Sequence, residues 1–250
     1  MAKESGLGDN LYVAGYDVSG DTGSVDTISS PIAIGQITAI DKLAIERIHL
    51  LRDGSIKFKS YFNPSAGQEH DCFSTLPTAD VLVTYNHGTS LGNISAAMTA
   101  KQVDYPLTRS DKGELSFDIE AVANGYGLEW GIQLTPGKLI QSGAGVTTAI
   151  DFSGATSYGL QAYLHVFDMD GTDAVVAVQD SADGSTGWAD VTGGVFTSVA
   201  LAAVPTAERI QSGRTQTVRR WLRVNVTTAG TLTDITYAVM VVKNAYSISF

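Results

Sequence analysis

The sequence predicts a mainly β protein made of antiparallel strands, and three observations carry that prediction. Val, Ile and Thr recur in short runs separated by clusters of Gly, Asn, Asp and Ser. Apolar and polar residues alternate often, whereas a sustained 3.6-residue period is hard to find. Glycine, at 26 of 250 residues, is above the usual ~7% and punctuates the chain where turns are needed.

The elements follow in order. Ile48 and Leu50 precede Arg52-Asp53-Gly54, and an alternating run from Ser55 to Phe62 follows. Asp-Gly between alternating runs predicts a tight hairpin. Beyond the turn, Ile56, Phe58 and Phe62 share one face, with Lys57, Lys59 and Tyr61 on the other. Gln68 to Leu76 is the one helix candidate, ended by Pro77. Strands are expected over Ala79–Tyr85, Ser95–Val103 and Leu115–Val122. A glycine-dense stretch from Ala123 to Gly145 then suggests a division into residues 1–130 and 131–250. In the second unit, strands are expected over Gly159–Phe167, Ala174–Asp180, Gly194–Val199, Thr217–Val226 and Ile235–Val242. Turns are expected at Asp170-Gly171 and Asp183-Gly184. This spacing is that of an antiparallel sandwich.

Composition narrows the function. The hydrophobic share of 44% allows a sizeable core, and only 17% of residues are charged. The net charge is −10, which excludes a general nucleic-acid or anionic-membrane binder, since either needs a basic surface. Residues 1–125 hold −7 of that charge (9 basic, 16 acidic) and residues 126–250 hold −3 (7 basic, 10 acidic). The single cysteine, Cys72, rules out an intrachain disulfide framework and a cysteine-cluster metal site, and suits a reducing cytoplasm. The N-terminal residues lack the apolar stretch of a signal peptide, and no apolar run approaches the length of a spanning helix.

No constellation for catalysis emerges. His49 and His165 sit in apolar strand contexts and read as structural. In His70-Asp71-Cys72, adjacent helix positions diverge, so these residues cannot act as a dyad, and Cys72 reads as a small buried residue. Asp168-Met169-Asp170-Gly171-Thr172-Asp173 faintly resembles a calcium loop but lacks the closing glutamate and reads as a solvated hairpin tip. The acidic loop from Asp17 to Asp26 reads the same way. Arg214, Arg219, Arg220 and Arg223 cluster near one strand, and two readings stand: pairing with acidic loops of a neighbouring subunit, or pairing within the chain. No catalytic, cofactor-binding or metal-ligating residue is assigned, and the chain reads as a binding or building protein rather than an enzyme.

Four stretches resemble the major tail protein, or tail tube protein, of long-tailed bacteriophages of the siphophage type. They are Ala44–Phe58 with its Leu-Arg-Asp-Gly sequence; Thr84–Gly92 with Ala100–Tyr105; Gly113–Phe117 on to Leu128–Gly131; and Val178–Gly184 with Val218–Val224. The last resembles a domain appended to phage tail proteins. The resemblance implies a tail-tube-type β-sandwich or barrel with one short helix over residues 1–130, and an outer decoration-type β-sandwich over 131–250. It implies homo-oligomeric rings, usually hexameric, stacked into a hollow tube through which genomic DNA passes without specific binding. The implied partners are a tape measure protein, a tail terminator and distal tail or baseplate proteins; the implied location is the virion tail, assembled in the host cytoplasm. Long loops, Leu7–Ile34 and Asn63–Pro77, are expected to bridge rings. The excess acidity of the first unit fits a lumen wall that repels phosphates. Two alternatives are a capsid decoration protein and a glycan- or calcium-binding sandwich using Trp188, Trp221 and the Asp168–Asp173 loop.

Overall fold

A computed structural model describes residues 5–74 and 79–247. The first half contains β1 (Asn10–Val13), β2 (Tyr16–Asp17), β3 (Thr22–Ser29), β4 (Ile32–Gln36), β5 (Arg47–Arg52), β6 (Ser55–Tyr61), α1 (Glu69–Phe73), β7 (Val81–Asn86), β8 (Ile94–Gln102), β9 (Leu107–Arg109), β10 (Leu115–Ala123) and β11 (Glu129–Gln133). The second half contains β12 (Leu139–Ser142), β13 (Gly145–Val146), β14 (Ile150–Asp151), β15 (Leu160–Gly171), β16 (Asp173–Ser181), β17 (Ala189–Val195), β18 (Val199–Ala200), β19 (Thr206–Gln211), β20 (Trp221–Thr227) and β21 (Leu232–Lys243). The fold is mainly β; among the described residues the strands pair antiparallel and no sheet closes into a barrel.

One large sheet runs through both halves in the order β19-β15-β21-β11-β8-β10-β6-β3. A second sheet, β13-β20-β16-β17, covers the second half of it. The position between residues 130 and 131 falls inside β11, which pairs with β8 on one side and β21 on the other.

Two apolar clusters form the cores. One gathers Leu11, Phe58, Phe73, Met98, Phe117 and their neighbours; the other gathers Leu160, Leu164, Val176, Leu222, Val224 and Val239 with theirs. The alternation in β6 and β20 explains their placement: Ile56 and Phe58, or Leu222, Val224 and Val226, point inward while the intervening residues stay out. Strand β8 breaks that alternation, because Ala96, Ala97, Met98 and Ala100 are all buried. Ala96, Met98 and Ala100 join the first core, while Ala97 turns to a small third cluster with Leu82, Tyr163 and Met240. A strand buried on both faces loses its period-2 signature. Small side chains let it lie between two packed layers.

Beside Ala97 runs a buried ion pair. Arg209 of β19 donates to the carboxylate of Glu129 at the start of β11, Nη2 to Oε2 at 3.0 Å, and both side chains are almost wholly buried. Tyr163 of β15 donates its hydroxyl to the same carboxylate and also receives Arg209 Nε at 3.0 Å. Tyr126 stacks on the guanidinium, with 3.8 Å from Cζ to the ring centre. Burial, with the adjacent carboxylate, drives the Tyr163 pKa well above its ordinary value, so its proton stays in place.

Several sequence expectations change here. Asp53-Gly54 is not a hairpin turn: β5 pairs with β4, and β6 pairs with β3 and β10. A type I′ turn needs positive φ at both central residues, and neither Asp53 nor Gly54 has it. Instead Gly54 is pressed against the body, where an added Cβ would come 2.6 Å from Leu128 N, and its carbonyl accepts from Ala123 N at 2.8 Å. The stretch Leu7–Ile34, expected as a loop, forms β1 to β3 and enters β4; in β3 Val25 and Ile28 pack against the first core, and irregularities in its pairing with β6 break the period-2 signal. The helix is Glu69–Phe73, within the expected span, and Leu76 and Pro77 lie outside the described residues. The strand expected over Gly194–Val199 is split between β17 and β18.

Candidate assembly surfaces

The feature that stands apart from the body is the β4–β5 ribbon. Its ladder runs from Ile32 opposite Arg52 to Gln36 opposite Arg47, and is prolonged by Ile37 N to Glu46 O at 3.0 Å. Asp53 N donating to Pro31 O at 3.0 Å closes its base. Every residue of β5 is exposed, so Ile48, Leu50 and His49 all face solvent. His49 is therefore not the structural histidine that its apolar neighbours suggested; it sits on a ribbon with no core beneath it. Ile34 is 61% exposed and Leu51 84%, and at the tip Ile40 and Leu43 are wholly exposed. A two-stranded ribbon is marginal alone, and aliphatic surface of this extent is unusual on a lone chain.

Open strand edges are the second feature. Among the described residues, β4 pairs only with β5, β12 only with β21, and β3 ends the large sheet beside β6. Each presents an unpaired backbone row able to accept another strand. The outward face of β6 and β10 is balanced in charge: Lys57 meets Glu120 at 3.0 Å, and Lys59 stands opposite Asp118.

The arginines are engaged inside the chain. Arg219 donates from its backbone N and from Nε to the buried Asp180 carboxylate, at 2.8 and 2.7 Å. Arg220 grips Asp151, Nε to Oδ1 at 2.6 Å, and holds that carboxyl down to about 2. Arg223 donates to Gln179 Oε1 and lies 4.1 Å over the Trp188 ring. Of the two readings left by the sequence, pairing within the chain is the one realised for these three. Trp188 is thus covered by Arg223, and Trp221 packs under Gly184.

The other singled-out residues also have local roles. His165 is buried, accepts Gly15 N–H at Nδ1 (3.2 Å) and donates from Nε2 to Thr84 at 2.9 Å, as a structural histidine would. Burial lowers its pKa to about 3, so the ring is neutral. His70 meets the Tyr105 hydroxyl at 2.9 Å, and Cys72 is buried in the first core. Asp173 accepts from Thr228, Ala229 and Gly230 at a turn, while Asp168 caps Met169 N at 2.9 Å. Asp17, expected in an acidic loop, ends β2 and pairs with Lys138 at 2.7 Å. Among the described residues there is no cluster of three metal-ligating side chains, and no helix is long and apolar enough to cross a membrane. Sequence reasoning missed the ribbon, whose signal was a run of aliphatics either side of Asp41-Lys42.

No protein-family model and no curated protein matches the chain. Among solved structures, the tail of an empty GTA particle, refined helically with C6 symmetry, is similar at TM-score 0.36 and 14% identity, over 44% of this chain and 81% of that one. The Dit protein of phage SPP1, described as a hub of the adsorption apparatus in phages infecting Gram-positive hosts, gives 0.33 at 9% identity, over 93% and 98%. A chain of the phage p2 baseplate in its activated conformation with Sr gives 0.37 at 9%, over 95% and 99%. These scores are low, and the functional reading rests on the chain's own residues.

Proposed function

We propose that this chain is a structural subunit of a bacteriophage tail that assembles with copies of itself. The observation that carries the reading is the β4–β5 ribbon, whose aliphatic side chains no other part of the described residues covers. Open edges at β3, β4 and β12 support it, because closing them across subunits removes an aggregation hazard. The quoted sequence stretches support the finer assignment as a major tail protein, in which residues 1–130 form the tube, residues 131–250 decorate it, and hexameric rings stack. The net charge of −10 suits a tube through which DNA moves without adhering. The balanced β6–β10 face does not supply that acidity, so Asp21 and Asp26, at the turn into β3 and on β3, are the better source. Partners would be the tape measure, terminator and distal tail proteins. On this reading the chain's role is structural rather than enzymatic.

Negative-stain microscopy of the purified protein tests the proposal. Hollow filaments with a regular axial repeat are expected. A protein that stays strictly monomeric at high concentration, also when supplied with tail-initiation complexes, would overturn it.

A further inference from the structure

We infer that the β4 edge of one copy docks along the β12 edge of a second copy, seated in the groove between β12 and β13. This deepens the self-assembly reading and rests on it. The groove is about 550 Å³, and its walls include Leu91, Pro136, Leu139, Ile140 and Val146. It lies where the two sheets of the second half part, since β12 belongs to the large sheet and β13 to the smaller one. Ile140 is 69% and Val146 50% exposed, so the groove, like the ribbon, is apolar surface left uncovered by the described residues.

Three properties match the two surfaces. Both are without charge: Ile32 to Ile40 contains no ionisable side chain, and neither does Leu139 to Ile150. A charged partner would leave its charges unpaired in either place, whereas these two segments leave none. Both have a free backbone row, so β4 can extend the large sheet beside β12 by strand addition, with alternate aliphatics entering the groove. The areas suffice once the ribbon tip and β5 are counted with β4. The exposed aliphatics of β4, the tip and β5 together are equivalent to about six fully exposed side chains, those of Ile32–Ile40 to less than half of them. At roughly 100 Å² each they present on the order of 600 Å², against the ~800 Å² per partner of a standard interface, little more than half of it apolar. Because ribbon and groove are different surfaces, the contact is head-to-tail and repeats from copy to copy.

The test uses full-length protein in sedimentation velocity, with circular dichroism as the folding control. Ile34→Lys disables the ribbon and Ile140→Lys the groove; both positions are exposed, so both variants should fold. The wild type is expected to associate with rising concentration. Each variant alone should lose association at least tenfold. An equimolar mixture of the two should stop at a one-to-one dimer, held by the one intact ribbon and the one intact groove. If Ile140→Lys assembles like the wild type while Ile34→Lys does not, the groove is the wrong seat and only this inference falls. If the wild type never associates, the self-assembly reading falls with it.

Discussion

Arg209 reaches from the second half of the chain to hold Glu129, the first residue of the strand that joins the halves. The pair is almost wholly buried and is completed by the Tyr163 hydroxyl, so three strands of one sheet are fixed to one another by a single carboxylate. Burying two charges is favourable only when each finds several partners, and here each does.

Removing one member should therefore be severe. Arg209→Met leaves Glu129 buried and unpaired, with an expected loss of ~3–5 kcal/mol in urea unfolding. The double variant Arg209→Met/Glu129→Leu should recover a large part of that. Additive losses in the double-mutant cycle would contradict the coupling.

The pressed glycines give a second expectation. An added Cβ at Gly131 would collide with the Val241 carbonyl, and at Gly54 with the Leu128 backbone. Backbone cannot rotate away as a side chain can, so Gly131→Ala should lower stability by ~1–3 kcal/mol. Gly54→Ala should also loosen the base of the ribbon, seen as faster proteolysis near residues 30–53 at unchanged secondary structure.

Acid and alkali should destabilise the protein through different groups. His165 titrates near 3 in the fold and at ~6.5 when unfolded. Between those values the unfolded chain holds the extra proton, so stability falls as pH falls, by ~1.4 kcal/mol per unit. Glu69 behaves oppositely. Its carboxyl is buried, and burial first, then a hydrogen bond that only the protonated form can give to Asp21, raises its pKa to about 9. Above ~4.5 the folded chain holds the extra proton, so stability falls as pH rises. Glu69→Gln should flatten the alkaline arm of denaturation midpoints between pH 6 and 9. An unchanged slope would refute the assignment.

The two arginine–aspartate pairs of the second half should differ in weight. Asp180 is buried and receives both the backbone and the side chain of Arg219, so Asp180→Ala should cost ~2 kcal/mol or more. Asp151 is at the surface beside Arg220, and Asp151→Ala should leave the unfolding midpoint nearly unchanged.

Most strands were legible because they are half-buried. The alternation in β6, β10 and β20 reports one wet face and one dry face directly. The ribbon was not legible for the same reason in reverse: Ile48 and Leu50 carry the pattern of a core strand, and nothing local states that no layer lies beneath them. Asp53-Gly54 misled because the glycine serves a close approach to Leu128 rather than a turn. The partners of Arg219 and Arg220 lie 39 and 69 residues away in sequence, a separation only the sheet pairing brings together. The candidate surface was thus the least readable part, since exposure is a property of the whole fold.

Strand β8 acts as a party wall between two rooms. Its alanines keep that wall thin on both sides, with Met98 the one long side chain it sends into the first core, so neither core can be enlarged there without displacing the other. The halves consequently share a boundary condition: drift in the residues of one is constrained by the packing of the other. A pull applied at the ribbon passes through Gly54 and β6 to β10 and then to this wall, and it meets the second half as a load on the same sheet rather than on a hinge.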